Sequence, residues 1–246
     1  MILLAVETSS AAGGIELCSE SKVLAQRTWL RENTRGDSPT RSHSELLTQA
    51  FSDCLEEAGI AADEINLITT STGPGSFTGI RVGLNFVKTL SYSFDIPILP
   101  FNSLRVIAHS CKVSKLPLLV GVNAFRNMLF MGRYEYSQNS WRETTAPHLV
   151  KVDSLDRLAT QPHLGLGDGW DYYQSMLSNT IKKTIDWQSQ TNHFPDVSVL
   201  SRLALMEAKK TKTFNWKELA PLYLRLSSAE EKRREGILIP LPKLKN

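Results

Sequence analysis

No run in the 246 residues approaches the roughly 18–20 uninterrupted apolar residues of a membrane-spanning helix, so no membrane span is expected. The apolar opening Met1–Val6 reaches Glu7 with no basic stretch before it. It therefore reads as a buried strand rather than a secretory signal, and a cytoplasmic protein is expected. Cysteine is scarce: Cys18, Cys54 and Cys111 are odd in number, far apart and at no metal-like spacing, which points to apolar packing in a reducing compartment. Strong charge of one sign is also missing. A net +3 does not by itself drive binding to a polyanion, and the groups Lys232-Arg233-Arg234 and Lys243-Leu244-Lys245 read as solvated faces. Paired histidines are absent as well. His43 is followed one helical turn later by Leu47, and no two of His43, His109, His148, His163 and His193 stand at metal-ligand spacing. No metal is expected, and His43 is read as support for a helix start or a contact with a partner.

What is present is an ordinary globular composition, 41% hydrophobic and 22% charged, long enough for two lobes of about 100–150 residues each. Apolar runs at Ile2–Glu7, Gly14–Cys18 and Val23–Trp29 read as three opening strands. Ala11-Ala12-Gly13-Gly14 is expected to turn the first into the second. Ser42 with Glu45 three residues on is a capping box that starts a helix, and Gly59 ends it after Leu46, Leu47, Ala50, Phe51, Cys54, Leu55 and Ala58. A strand at Ile65–Thr70, a helix at Thr78–Phe94, a strand at Ile96–Pro100 and a helix at Ser103–Cys111 complete the order β-β-β-α-β-α-β-α. That order is the layout of a ribonuclease-H-like or actin-like ATPase lobe, with a meander followed by right-handed crossovers. The expected fold is thus α/β and two-lobed, with residues 1–102 as the first lobe and 103–216 as a smaller, more divergent second lobe. The stretch 217–246 is expected to return to the first. In the second lobe, strands are expected at Leu118–Asn123, Met128–Tyr136 and Leu164–Gly167, and helices at Ser154–Ala159, Trp170–Leu177 and Val197–Lys209.

The densest chemical signal is Gly73-Pro74-Gly75-Ser76-Phe77-Thr78-Gly79, between a buried strand and a helix. Glycines there permit close backbone approach, and unpaired amides at a helix start favour an anion. Gly73, Gly75, Ser76 and Thr78 are the candidate contacts to a phosphate or carboxylate; a purely structural tight turn is the alternative. The loop lacks the Gly-Lys-Ser/Thr ending of a P-loop and the spacing of a dinucleotide fingerprint. Gly79 and Gly83 give the helix a small-residue face, which packs either on the sheet or on another subunit. Both helices carry apolar residues on more than one side, so Leu46, Ala50, Gly79, Gly83, Phe86 and Val87 are candidate interface residues, with extra core burial as the competing reading.

The run Gly73–Gly83 (GPGSFTGIRVG) resembles the signature loop of the TsaB family, also called YeaZ. Leu4-Ala5-Val6-Glu7-Thr8-Ser9, Arg41-Ser42-His43, Gly165-Leu166-Gly167-Asp168-Gly169-Trp170 and Pro221-Leu222-Tyr223-Leu224-Arg225 agree with it in order. The resemblance implies an actin-like fold and a part in installing threonylcarbamoyl on the adenosine beside the anticodon, in tRNAs that read codons beginning with A. It implies a non-catalytic subunit, with a TsaD-type transferase and a TsaE-type ATPase as partners, homodimers through a similar helical surface, and tRNA met through the complex. It implies no cofactor of the chain's own; ATP or ADP would sit at a partner interface.

Actin-like kinases and ATPases hold metal and phosphate with an Asp at the end of the first strand and a second carboxylate in lobe two. This chain has Glu7 at the first place. At the second, Asn123-Ala124-Phe125 stands where relatives commonly carry Asp-Ala-Arg. Both departures make independent nucleotide hydrolysis harder, because metal–phosphate chemistry needs carboxylate oxygens. An autonomous actin-like ATPase or small-molecule kinase is the alternative function. A protease reading finds no Ser–His–Asp or Cys–His arrangement that spacing can assemble.

Overall fold

The computed structural model describes residues 1–30, 42–112, 114–158, 160–187 and 193–226. The loop expected at Asn33–Arg41, the basic groups at 232–234 and 243–245, and everything of the returning segment past 226 lie outside the described residues.

The first sheet contains β1 (Ile2–Glu7), β2 (Ala12–Ser19), β3 (Val23–Leu30), β4 (Leu67–Ser71) and β5 (Ile98–Phe101), in the order β3-β2-β1-β4-β5. β1 pairs antiparallel with β2 and parallel with β4, and β4 pairs parallel with β5. The central strand reads as an unbroken apolar run because both of its faces are covered. Leu4 and Val6 join α1 (His43–Ala58) and α2 (Phe77–Phe94) in one core, while Leu3 and Ala5 point the other way, toward α6 (Val197–Glu207). Helix α1 begins as the sequence predicts: Ser42 accepts from the Glu45 amide, the Glu45 side chain accepts from the Ser42 amide, and Gly59 closes the far end in the left-handed conformation. A cap of this kind contributes about 1 kcal/mol.

The second sheet contains β6 (Leu118–Asn123), β7 (Met128–Ser137), β8 (Ser140–Lys151), β9 (His163–Leu166) and β10 (Ile185–Asp186), in the order β10-β9-β6-β7-β8. β6 pairs antiparallel with β7 and parallel with β9. Counted from its own first strand, each sheet is therefore ordered 3-2-1-4-5, and the second lobe repeats the first. Its core gathers Leu119, Met131, Val150, Trp170, Leu177 and Ile185. The fully buried Trp170 indole donates to the Leu166 and Leu119 carbonyls at 3.0 and 3.3 Å. Helix α3 (Ser103–Ala108) lies between the lobes, with Val106 in a core of the first and Leu104, Ile107 and Ala108 in a core of the second.

Several expectations need correction. Gly13 and Gly14 lie inside β2 rather than in the turn before it. They are small because a side chain would strike the Trp29 indole at 2.4 Å or Val197 at 2.8 Å. The strand β8, unforeseen, is an edge strand whose exposed, charged and Pro147-bearing sequence shows no alternation. The expected helix at Ser154–Ala159 is a 3-10 segment, Val152–Arg157. The one expected at Trp170–Leu177 is the short α4 (Gly169–Tyr172), followed by α5 (Asn179–Thr184). α3 likewise stops at Ala108, short of Cys111. Helix α6, numbered within the second lobe by the division at 103–216, packs on the first sheet. Leu219 also returns to the first core.

The contact of α6 with the first sheet encloses a carboxyl group. Glu16 on β2 is 2% exposed, takes a hydrogen bond from the Ser201 hydroxyl, and leaves Oε2 without a partner. Burial raises its pKa above the ordinary 4.5, with Ser201 opposing and the Asp196 charge adding to the rise. The folded chain thus holds this proton more tightly than the unfolded one. Its contribution to stability is full below pH 4.5 and is lost as pH rises until Glu16 ionises in the folded state. Glu16→Gln removes that loss. Urea midpoints measured from pH 4.5 to 8 are expected to fall less steeply for Glu16→Gln than for the native chain, with the variant gaining most at the alkaline end. An unchanged slope would assign the pH dependence elsewhere.

Candidate functional site

The glycine loop is stitched to three neighbouring segments of its own chain. The Ser76 amide donates to the Ser9 carbonyl at 2.7 Å, and the Ser103 amide donates to the Gly73 carbonyl at 2.8 Å. The Ser103 hydroxyl donates to the Pro74 carbonyl. On the third side, the Leu222 amide donates to the Thr72 carbonyl at 2.8 Å. The Ser76 hydroxyl caps α2 by accepting from the Gly79 amide at 3.2 Å. Gly73 has a φ of +98°, which an L side chain rarely adopts, and a Cβ at Gly75 would stand 2.2 Å from the Ser9 carbonyl oxygen. Of the four candidate anion contacts, Gly73, Gly75 and Ser76 are brought together but face their own chain, and Thr78 is exposed. The geometry favours the structural-turn alternative for those three. Cavities of about 890 and 440 Å³ elsewhere in the molecule have no glycine-loop residue in their walls.

Thr8 explains the small-residue face of α2. Its hydroxyl donates to the Gly79 carbonyl at 2.8 Å. An added Cβ would lie 2.0 Å from the Thr8 carbonyl oxygen at Gly79, and 2.3 Å from the Thr8 hydroxyl at Gly83. The face is therefore internal, packed against the β1–β2 turn. Four of the six candidate interface residues are thereby corrected: Gly79, Gly83, Val87 and Ala50 are buried in the chain's own core. Their helical spacing placed them on the sheet side of each helix. Leu46 and Phe86 remain half-buried on the outer surface. There Phe86 meets Phe51 edge-on at 5.3 Å, with Leu55 and Val82 also partly covered.

Glu7 occupies the end of β1, where an actin-like ATPase needs a free carboxylate. It is 1% exposed. One carboxyl oxygen accepts from the Ser9 amide at 2.7 Å and the Ser9 hydroxyl at 2.6 Å, and the other from the Ser71 hydroxyl at the end of β4. Burial raises its pKa, and the hydrogen bonds from Ser71 and Ser9 oppose the rise without cancelling it. The carboxyl thus ties two parallel strand ends together.

Across the molecule, the Asn123 side chain accepts from the Phe125 amide at 2.8 Å and the Tyr173 hydroxyl at 3.0 Å. The Asn123 amide donates to Asp168 at 3.0 Å, and burial raises the pKa of that carboxyl. Phe125, Arg126 and Asn127 all have positive φ, and Phe125 is held 62% exposed. The segment 221–225 spans the gap from the glycine loop: Leu222 bonds Thr72, and the Arg225 guanidinium donates to the Ala124 carbonyl. Between them Tyr223 stacks on Phe77 at 4.8 Å and accepts from Arg81 Nε at 2.8 Å, while the Arg81 guanidinium lies 3.9 Å over the Phe77 ring.

His43 is a structural residue. Its Nδ1 accepts from the Trp29 indole at 3.0 Å, so Nε2 carries the proton given to the Ser10 carbonyl at 3.0 Å. The ring joins β3, the β1–β2 turn and the start of α1. Thr8, Ser9, Ser71, Ser103, Arg81 and Tyr223 carry most of the contacts here, and the sequence reading gave none of them a role. Thr8, Ser9, Arg81 and Tyr223 lay within the quoted motifs; Ser71 and Ser103 offered only their position beside the loop.

The family model described as TsaD, tRNA N6-adenosine threonylcarbamoyltransferase, matches residues 22–233. The tRNA threonylcarbamoyladenosine biosynthesis protein TsaB of Bacillus subtilis is 30% identical over 239 residues, covering 94% of this chain and 97% of that protein. A tRNA N6-adenosine threonylcarbamoyltransferase of Streptococcus agalactiae is 27% identical over 128 residues, which is 48% of this chain and 38% of that protein. The solved structure of YeaZ from Pseudomonas aeruginosa superposes with a TM-score of 0.73 at 20% identity, over 91% of this chain and all of that one. The fold is the two-lobed actin-like, ribonuclease-H-like one. Within the family that the transferase model describes, near full-length agreement is with TsaB, and the chain belongs to the TsaB (YeaZ) family of tRNA threonylcarbamoyladenosine biosynthesis proteins.

Proposed function

We propose that this chain is a non-catalytic scaffold and activating subunit in threonylcarbamoyladenosine synthesis, and that a TsaD-type partner carries the transfer. The observation behind this reading is Glu7: the carboxyl at the end of β1 is buried, and both its oxygens are committed to Ser9 and Ser71. A metal-bound phosphate there would have to displace those bonds. Asn123 supplies an amide where a second carboxylate would be needed, and its side-chain oxygen is occupied by Phe125 and Tyr173.

In this reading the outer surface of α1 and α2, with Leu46, Phe51, Val82 and Phe86, receives the TsaD-type partner. A second copy of the chain uses the same surface in a homodimer. A TsaE-type ATPase joins the complex, and ATP or ADP binds at a partner interface rather than in a site of this chain's own. The tRNAs served are those reading codons that begin with A. No helix among the described residues is long and apolar enough to cross a membrane. The buried thiols Cys18 and Cys54, in no disulfide, suit a cytoplasmic setting.

Reconstitution with the TsaD-type and TsaE-type proteins, tRNA, ATP and a preformed, activated threonylcarbamoyl donor tests the role. Omitting this chain is expected to abolish or sharply reduce modified tRNA, while the isolated chain shows no steady ATP turnover. Equal modification without the chain would sink the proposal. For the interface, Phe86→Glu is expected to weaken association with the TsaD-type partner by roughly 30-fold or more, the scale of an interface hot spot, with the circular dichroism melt little changed. Gly83→Asp, which drives a side chain into Thr8, is expected to lower the melting temperature whether or not the partner is present. Retained association in Phe86→Glu would move the interface away from α1 and α2.

A further inference from the structure

Residues 209–217 read Lys209-Lys210-Thr211-Lys212-Thr213-Phe214-Asn215-Trp216-Lys217, four lysines interleaved with two aromatic residues, and the function above makes no use of them. The segment is fixed in place. Phe214 and Ile98 exchange both backbone hydrogen bonds, at 2.7 and 2.8 Å, along the outer edge of β5. Leu219, a few residues on, is buried in the first core. Beside it Tyr92 of α2 stands 70% exposed, edge-on to Trp216 at 5.2 Å and 77°. The Lys217 ammonium lies 5.4 Å from the Trp216 ring centre, and that of Lys212 5.9 Å from the Phe214 ring centre. Carboxylates are near as well: Glu218 is 3.6 Å from Lys212, Glu20 is 3.8 Å from Lys209, and Asp95 follows Tyr92 by three residues.

Four lysines against three carboxylates give a small positive excess, too little for charge alone to hold a polyanion. The aromatic pair supplies the rest. An exposed ring on a rigid support, with ammonium groups at its rim, fits an unpaired base stacked on the ring while its phosphates pass the lysines. A duplex keeps its bases out of reach of such a ring. An acidic peptide would use the lysines and leave Tyr92 idle. We infer that Tyr92, Trp216 and the lysines of 209–217 form a contact surface for unpaired nucleotides of RNA. The inference rests on the functional reading above, in which the RNA is the tRNA being modified.

The test measures affinity of the full chain, alone and assembled with its TsaD-type partner, for an unmodified tRNA transcript across a salt series. Tyr92→Ala is expected to weaken binding about tenfold with little change in salt dependence, and Tyr92→Phe to restore it. Reversing Lys210, Lys212 and Lys217 to Glu is expected to lower the slope of log affinity against log salt by about two. Irradiation is expected to cross-link Trp216 or Tyr92 to 4-thiouridine-substituted tRNA. Unchanged affinity and slope in these variants overturn the inference. So does loss of the TsaD-type partner from the variants while RNA binding by the isolated chain is unaltered, because the surface then serves a protein. If tRNA is modified equally well without this chain, the functional reading fails, yet the cross-link and the salt slope still report on the surface itself.

Discussion

The hydroxyl of Thr8 against the glycine face of α2 fixes the distance between the central strand and the helix that follows the glycine loop. With Gly79 and Gly83 beneath it, the β1–β2 turn comes close enough for the Ser76 amide to reach Ser9, and for Ser9 to satisfy Glu7. Any side chain at either glycine would lift the turn, and the hydrogen bonds on both sides would part with it. The same packing turns Phe86 and Val82 outward, because a helix held by one narrow stripe has its remaining apolar residues at the surface.

The burial of Glu7 follows from this closeness. A carboxyl at the end of a parallel strand pair has two usual environments: solvent and cations in a cleft, or hydrogen-bond donors in the interior. Here two serines and a backbone amide are the donors, and burial still wins over them in the direction of the pKa shift. Glu7 is therefore poorly suited to bind a metal and well suited to hold β1 against β4.

Much of the first lobe was legible because its signals are local. The Ser42–Glu45 capping box, the Gly59 stop and the doubly covered β1 each depend on residues a few positions apart, and each stands where the sequence indicated. The second lobe was less legible where its signals are not local. β8 is exposed along half of its length and shows no period, and α4 and α5 are too short to repeat one. Gly13 and Gly14 misled for a similar reason: glycine marks a turn or a close approach, and only the distant Trp29 and Val197 decide which. At the site, periodicity identified the right helices but not which face of each looks outward. That choice depends on Thr8, whose partner lies 71 residues away.

The segment 221–225 gives the two lobes their relation. It bonds the glycine loop through Leu222 and the β6–β7 turn through Arg225, and the Tyr223–Phe77–Arg81 stack fills the span between. In a two-lobed kinase or ATPase, closure is driven by ligand contacts that exist in only one of two states. Here covalent continuity, the Leu222 amide on Thr72 and the Arg225 guanidinium on Ala124 already join the facing edges, so closing around a ligand would first have to break these bonds. A lobe arrangement fixed in this way spends little conformational entropy when a partner docks. Two sheets of the same 3-2-1-4-5 order, tied at their facing edges by segment 221–225, thus carry the outer surfaces of α1 and α2.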